Sequence, residues 1–453
     1  MISTVPRVVI AGERSGVGKS TITVGILLAL KARGLAAQPF KVGPDFLDPM
    51  HHSILMDRKS RNLDTWMFPG SVEELFVRNS QGSDIAVIEG VMGLYDGFDG
   101  ISDEGSTAHL AKTLDAPVVL VLDGKASARS LGAVALGFQE YDRKVNIAGV
   151  IFNNVAGERH LQMLESSLRG VESLGGVFTV EKASLSSRHL GLVPAEEDFD
   201  PERYEEIRKM IEERIDIERL IEISRTAGPV EAHAGDLFPD KEEVATIGVA
   251  RDSAFNFYYQ DNLDILRSHG AQIEFFSPMS GEVPDVDGLY FGGGYPEVFA
   301  QGLASSTAVR DKVRQLSDDG MAVYAECGGM MYACKSLRTL DGVDHRMTGI
   351  FDARVEMTGK LQALGYVEAK VIKDCVLSPK GGTARGHVFH YSHIAESSET
   401  EFAYDLNKQK GIAKSLDGFV RDNSLASYTH LHFGSCPGFA DNFVRACAGY
   451  RRR

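Results

Sequence analysis

A chain of 453 residues exceeds what one compact core accommodates and is expected to fold as two domains or more. Its composition, 43% hydrophobic and 25% charged, is that of an ordinary globular protein and sets aside disordered and collagen-like classes. The net charge of −15 argues against nucleic-acid or membrane-surface partners, no apolar run reaches membrane length, and the five cysteines show no paired metal spacing, so a reducing, cytoplasmic setting is expected.

The chain opens on Arg7-Val8-Val9-Ile10-Ala11, a buried-strand signal, followed by Gly12-Glu13-Arg14-Ser15-Gly16-Val17-Gly18-Lys19-Ser20-Thr21 and a helix through about Arg33. Glycines in such a loop let backbone N–H groups wrap phosphates. Gly12, Ser15, Gly16, Val17, Gly18 and Thr21 form the expected cradle, Lys19 reaches the terminal phosphates, and the Ser20 hydroxyl holds magnesium. ATP and Mg2+ are therefore the expected cofactors. Glu13 occupies the place where the standard phosphate loop has its first glycine.

Two acidic loops follow. Asp45 and Asp48 lie between Pro44 and Pro49 at the end of the strand signal Phe40-Lys41-Val42, and the strand Ile85-Ala86-Val87-Ile88 runs into Glu89 and on to Asp96. Carboxylates at the C-terminal edge of a parallel sheet are placed to meet a metal or a substrate. Asp45, Asp48, Glu89 and Asp96 are thus expected as catalytic residues, with Ser20, Asp45 and Glu89 as magnesium ligands that relieve the concentration of negative charge. Val118 to Leu122 and Ile147 to Phe152 continue the strand and helix alternation, which predicts an α/β fold with a parallel sheet. Asn153 and Asn154, at such a strand end, either read the nucleotide base or form a strand-end turn. Tyr204, Ile207, Ile211 and Ile215 line one face of a charged helix expected from Pro201 to Ser224. The domains expected are an ATP-dependent ligase over 1–228, a linker over 229–244 and a second domain over 245–447.

In that second domain the loop from Arg251 to Tyr259 is rich in aromatics, expected in the core. The strand Asp287 to Phe291 ends in Gly292-Gly293-Gly294-Tyr295-Pro296-Glu297, a turn suited to oxyanion donors from Gly293 and Gly294. Met321 to Ala325 reads as a buried strand running into Glu326-Cys327-Gly328-Gly329-Met330, with a helix from about Met330 to Leu337. A thiol on that sharp turn is expected to be a nucleophile favoured as thiolate by the helix N-terminus, with the Gly328 N–H on the oxyanion. Ser427 to Phe433 alternates like a strand and offers His430 and His432, on one side of it, as general base.

The phosphate loop resembles that of dethiobiotin synthetase, and the Gly-Gly-Gly turn, elbow cysteine and C-terminal histidine resemble a class I glutamine amidotransferase domain. With the runs Lys41 to Pro49, Asn62-Leu63-Asp64, Glu89 to Gly97, Gly149 to Asn154, Arg188-His189-Leu190-Gly191-Leu192 and Arg385-Gly386-His387, nearly the whole chain resembles the cobyrinate a,c-diamide synthase family. That resemblance implies a P-loop ligase domain joined to a flavodoxin-like glutaminase domain, with Cys327 as nucleophile and His430 as base. It implies amidation of two carboxylates of a polycarboxylate metallotetrapyrrole, either cobyrinate or nickel sirohydrochlorin, with nitrogen from glutamine, and it admits a homodimer. The chain departs from the usual pattern at His432, where a glutamate orients the base, and at Phe46 and Leu47, where tyrosine and isoleucine are frequent. Two other readings share parts of the pattern: a cobyric acid synthase acting on other carboxylates, and a partition-type ATPase switch carrying a silent glutaminase-like domain.

Overall fold

Apolar runs closed by glycine turns become parallel strands throughout the first half of the chain, because strands buried on both faces need no polar alternation. The computed structural model describes residues 1–179, 199–233, 235 and 237–451. The run Arg188 to Leu192 lies outside them. Two compact units, Met1–Ala234 and Gly235–Arg453, are each built around a sheet of their own.

The sheet of the first unit has seven strands, in the order Arg61–Leu63, Ala37–Val42, Ile85–Glu89, Arg7–Gly12, Val118–Asp123, Ile147–Val155 and Glu172–Phe178. Every neighbouring pair is parallel. All C-terminal strand ends therefore share one edge, and the phosphate loop, both acidic loops and the asparagine pair lie on it. The helix Lys19–Ala32 starts directly from the phosphate loop and packs on the helix Pro201–Arg214.

The single helix expected from Pro201 to Ser224 is two, Pro201–Arg214 and Ile217–Ser224. Ile215 leaves the helical conformation to bridge Gly175, and the Asp216 side chain accepts from Arg219 N to start the second helix. The apolar face is as read, with Tyr204, Ile207, Ile211 and Ile215 all buried. Val230–Glu231, inside the stretch expected as linker, pairs antiparallel with Ile2–Ser3.

The second unit carries a ten-stranded sheet. Its parallel half runs Ala271–Phe276, Ala245–Ala250, Gly288–Phe291, Ala322–Glu326 and Ser424–Ser427. In chain order this is 2-1-3-4-5, the flavodoxin-like arrangement, in which sites form beyond the carboxyl ends of the strands. An antiparallel half, Leu416–Arg421, Phe402–Leu406, Ala363–Val371, Thr383–His390 and His430–Leu431, continues it. Its last strand returns to the parallel half, since Leu431 N donates to the Glu326 carboxylate at 2.9 Å. No helix among the described residues is long and apolar enough to cross a membrane.

Gly25 sets the contact between the two helices of the first unit: a Cβ there would lie 2.3 Å from Ile211 Cγ1 and 3.2 Å from Ile207 Cγ2. Gly25→Val is expected to destabilise the protein by about 1–3 kcal/mol through overpacking. A thermal melt in which this variant matches the parent would contradict the described packing.

Candidate functional site

In the first unit, Gly16 and Gly18 adopt positive φ of 77° and 93°, which lets the phosphate loop turn inward before the helix at Lys19. A side chain at Gly18 would collide with Asn153, whose Nδ2 donates to Val17 O at 2.7 Å. Asn154 Nδ2 donates to Asp123 Oδ1 at 2.9 Å. The asparagine pair thus braces the loop and the neighbouring strand end, each through its side-chain amide nitrogen. Gly12, Ser15, Val17 and Thr21 line the loop and the first helical turn around these residues. The Lys19 side chain turns back onto the loop, donating to Met92 O at 2.6 Å and Arg14 O at 3.4 Å. Burial, then Lys41, lower its ammonium to about 8 against the pull of Glu89, Asp48 and Asp96, and a phosphate at this point would favour its charged form.

The acidic loops converge, and a residue to which the sequence reading assigned no role organises them. Lys41 is buried at the end of its strand, 2.9 Å from Glu89 Oε1 and 3.6 Å from Asp45 Oδ2, and it donates to Asp48 as well. Burial alone would lower its ammonium, but Asp48, Glu89 and Asp45 together overcome that and raise it. Glu89, fully buried, also bonds His52 Nε2 at 2.9 Å and accepts from Ser20 Oγ at 2.7 Å. Burial opposes its ionisation, yet Lys41 and then His52 hold it well below the usual carboxylate range. Asp48 goes the other way, lifted by burial and by the charge of Glu89. Lysine therefore relieves the crowding of charge that had been assigned to magnesium alone. A lysine inside an otherwise apolar strand was the available signal, because a buried cation requires carboxylate partners.

Asp96 makes no ion pair with Lys41 but adds its charge to those of Glu89 and Asp48 acting on Lys19. Its Oδ2 accepts from Gly93 N at 2.8 Å within its own turn, a cap at the rim of the site. Ser20 Oγ and Glu89 Oε1, with the partly exposed carboxylate of Asp45, form a hard-oxygen set that suits a magnesium ion sharing its remaining positions with phosphate and water. Among the described residues no group of three or more His, Cys, Asp or Glu is arranged to hold a metal unaided.

In the second unit, Cys327 follows the strand Ala322–Glu326 with φ 46° and ψ −100°, a conformation that costs a non-glycine residue and marks a strained elbow. Cys327 N donates to Ser427 O at 2.7 Å, which fixes the turn. The helix expected to Leu337 is only Gly328–Ala333, and Cys334–Arg338 is a strand of a second, four-stranded sheet. Burial first, then the charge of Glu297, push the Cys327 thiol up to about 12, with Gly328 N–H opposing, so forming the expected thiolate needs a base at hand.

The glycine turn lies against this elbow. A Cβ at Gly328 would sit 3.0 Å from Gly294 N, and one at Gly293 would sit 2.6 Å from His430 Cε1. Gly293, expected as an oxyanion donor, spends its N–H on Phe257 O at 3.2 Å. The N–H groups of Gly294 and Gly328 remain the candidate donors. The aromatic loop is core, as read, and its Tyr258 hydroxyl accepts from Gly292 N at 2.8 Å to hold the turn.

His430 pairs in register with His387 and stacks on it, ring centroids 4.8 Å apart. Burial, then His387 and His390, keep its imidazole neutral, the form a base requires. The strand ends at Leu431, so His430 and His432 do not share a strand face as expected. His432 Nδ1 instead accepts from Gly434 N at 3.0 Å and caps a 3-10 turn, its ring 4.9 Å from Tyr259. His432 is thereby committed through Nδ1 to that turn.

Two family models match the chain: a CobQ/CobB/MinD/ParA nucleotide binding domain over residues 8–226 and a CobB/CobQ-like glutamine amidotransferase domain over residues 246–437. A cobyrinate a,c-diamide synthase of Methanothermobacter thermautotrophicus is 43% identical, covering 97% of this chain and 99% of that protein. Proteins of the same name from Archaeoglobus fulgidus and Leptospira interrogans are 41% and 40% identical, covering 97% and 98% of this chain and 97% and 98% of their own.

His430→Asn is expected to slow glutamine hydrolysis by about 10²–10⁴-fold, the range of a lost general base. His432→Asn keeps an acceptor for Gly434 N–H and should retain most of the rate. Equal losses in a glutaminase assay would remove the distinction between the two histidines, and a loss confined to His432→Asn would reverse it.

Proposed function

The chain belongs to the cobyrinate a,c-diamide synthase family, glutamine-dependent amidating ligases, and on that footing we propose that it converts the a and c carboxylates of cobyrinate to amides, using ATP and the amide nitrogen of glutamine. The observation that carries this reading is the pairing, in one chain, of a cationic phosphate site edged by Lys41, Asp45 and Glu89 with a cysteine elbow edged by His430 and a glycine turn.

A carboxylate does not exchange oxygen for nitrogen at neutral pH, so the reaction needs an activated acyl group and a nitrogen that has kept its lone pair. In the first unit the loop N–H groups and Lys19 hold the terminal phosphate of ATP where a substrate carboxylate attacks it, giving an acyl phosphate and ADP. Lys41, at the same edge, offsets the repulsion between that carboxylate and Asp45, Asp48 and Glu89. A magnesium ion held by Ser20, Glu89 and Asp45 would neutralise phosphate charge during the transfer. In the second unit Cys327 attacks the carboxamide of glutamine while Gly294 and Gly328 N–H groups take the oxyanion, His430 passes the thiol proton to the departing ammonia, and water then hydrolyses the γ-glutamyl thioester to release glutamate and free Cys327. Ammonia then displaces phosphate from the acyl phosphate.

Product mass spectrometry with cobyrinate and with nickel sirohydrochlorin, each with ATP, magnesium and glutamine, tests the substrate. A diamide of cobyrinate is expected, and amidation of the nickel ring alone would overturn that assignment.

Separation of the two half-reactions gives a further expectation. Cys327→Ala should lose synthesis with glutamine but keep it with ammonium salts, whereas Lys19→Ala should lose about 10- to 1,000-fold with either nitrogen source. A Cys327→Ala variant dead with ammonium too would place the thiol in the ligase step.

A further inference from the structure

The turn that ends the strand Gly288–Phe291 does not stop at its glycines. Tyr295 N donates to Ala254 O at 3.0 Å and Val298 N to Tyr295 O at 3.1 Å, so Pro296 and Glu297 are held in a fixed turn. A Cβ at Gly328 would lie 3.0 Å from Pro296 Cδ, which rests this turn on the residue that follows Cys327. Glu297 is half-buried there, and no lysine, arginine or histidine among the described residues forms an ion pair with it.

A carboxylate at this place has the wrong sign for the chemistry next to it. Its charge adds to burial in opposing ionisation of the Cys327 thiol, and burial lifts Glu297 itself to about 7. The other carboxylates acting on the thiol are committed elsewhere. Glu326 accepts from Tyr290, Tyr324 and Leu431 N, and Asp417 accepts from Thr429 and Tyr428 N. The imidazoles nearby, His430 and His390, are kept neutral by burial. Glu297, held by its own backbone N–H and by no ion pair among the described residues, is therefore the carboxylate of the elbow whose charge is left for a cation to meet.

We propose that Glu297 binds the α-ammonium of glutamine and so selects the free amino acid over glutaminyl peptides and N-acylated glutamine. The inference rests on the reading of Cys327 as the glutaminase nucleophile. Free glutamine carries its cation at the end remote from the carboxamide, which suits a partner on the turn beside the elbow. Docking that cation on Glu297 also removes the charge that opposes the thiolate. Cys327 then becomes nucleophilic when its own substrate is bound and stays inert towards other acceptors.

Covalent capture of Cys327 by 6-diazo-5-oxo-L-norleucine, read by intact mass, tests this in the full-length protein, with iodoacetamide as a neutral probe of the same thiol. Glu297→Gln should be captured by the amino-acid analogue about 100-fold more slowly, the scale of a lost charge-assisted contact. It should react with iodoacetamide as fast as the parent or faster. Glu297→Asp, which keeps the charge, should fall between the two, and preference for glutamine over N-acetylglutamine as hydrolysis substrate should collapse in Glu297→Gln. Equal capture of Glu297→Gln and parent overturns the proposal. Failure of the parent itself to be captured at Cys327 overturns the nucleophile assignment, a result distinct from the first.

Discussion

A carboxylate taken out of water must be given partners or it will not ionise, and each unit of this protein ends a central parallel strand in one. Glu89 is fully buried and Glu326 nearly so. The effective penalty for an unpaired buried charge is several kcal/mol, enough to decide which side chains are allowed around each. Around Glu89 they are Lys41, His52 and Ser20, and the carboxyl is held ionised. Around Glu326 they are two phenols and a backbone N–H, none of them charged, and burial lifts the carboxyl to about 7. The first arrangement builds an electrostatic site, and the second builds a frame.

That frame explains the elbow. Glu326 anchors Leu431 N, which brings the short strand carrying His430 back to the parallel half of the sheet. Cys327 follows at once in a backbone conformation that costs about 1–3 kcal/mol and persists because the strands on either side determine it. The electrostatic site explains the acidic loops in the same terms. Lys41 allows Asp45, Asp48 and Glu89 to approach one another, and it leaves at the sheet edge a field of mixed sign.

Features carried by short local motifs were legible in the sequence: the phosphate loop, both acidic loops, the elbow, the α/β class, and the apolar face of the region from Tyr204 to Ile215. Features that depend on distant partners were not. Asn153 could not be known to brace Val17, nor Gly293 to give its N–H to Phe257, because each bond joins elements that meet only in the fold. The alternation from Ser427 to Phe433 satisfies a strand pattern, yet the Asp417 bonds to Tyr428 and Thr429 and the His432 cap divide it. Helix propensity after Met330 is overridden by parallel pairing of Cys334–Arg338 with Phe351–Met357. In each case tertiary hydrogen bonding outweighs a local preference worth less than about 1 kcal/mol per residue.

The central claim is that the first unit activates a carboxylate by phosphorylation before nitrogen arrives. Carboxylate-labelled [18O]cobyrinate, incubated with ATP, magnesium and ammonium, tests it most directly by the isotope content of the inorganic phosphate released. The account predicts one 18O atom in phosphate for each amide formed, with ADP as the other product. Phosphate free of 18O, or label recovered in AMP, would contradict it.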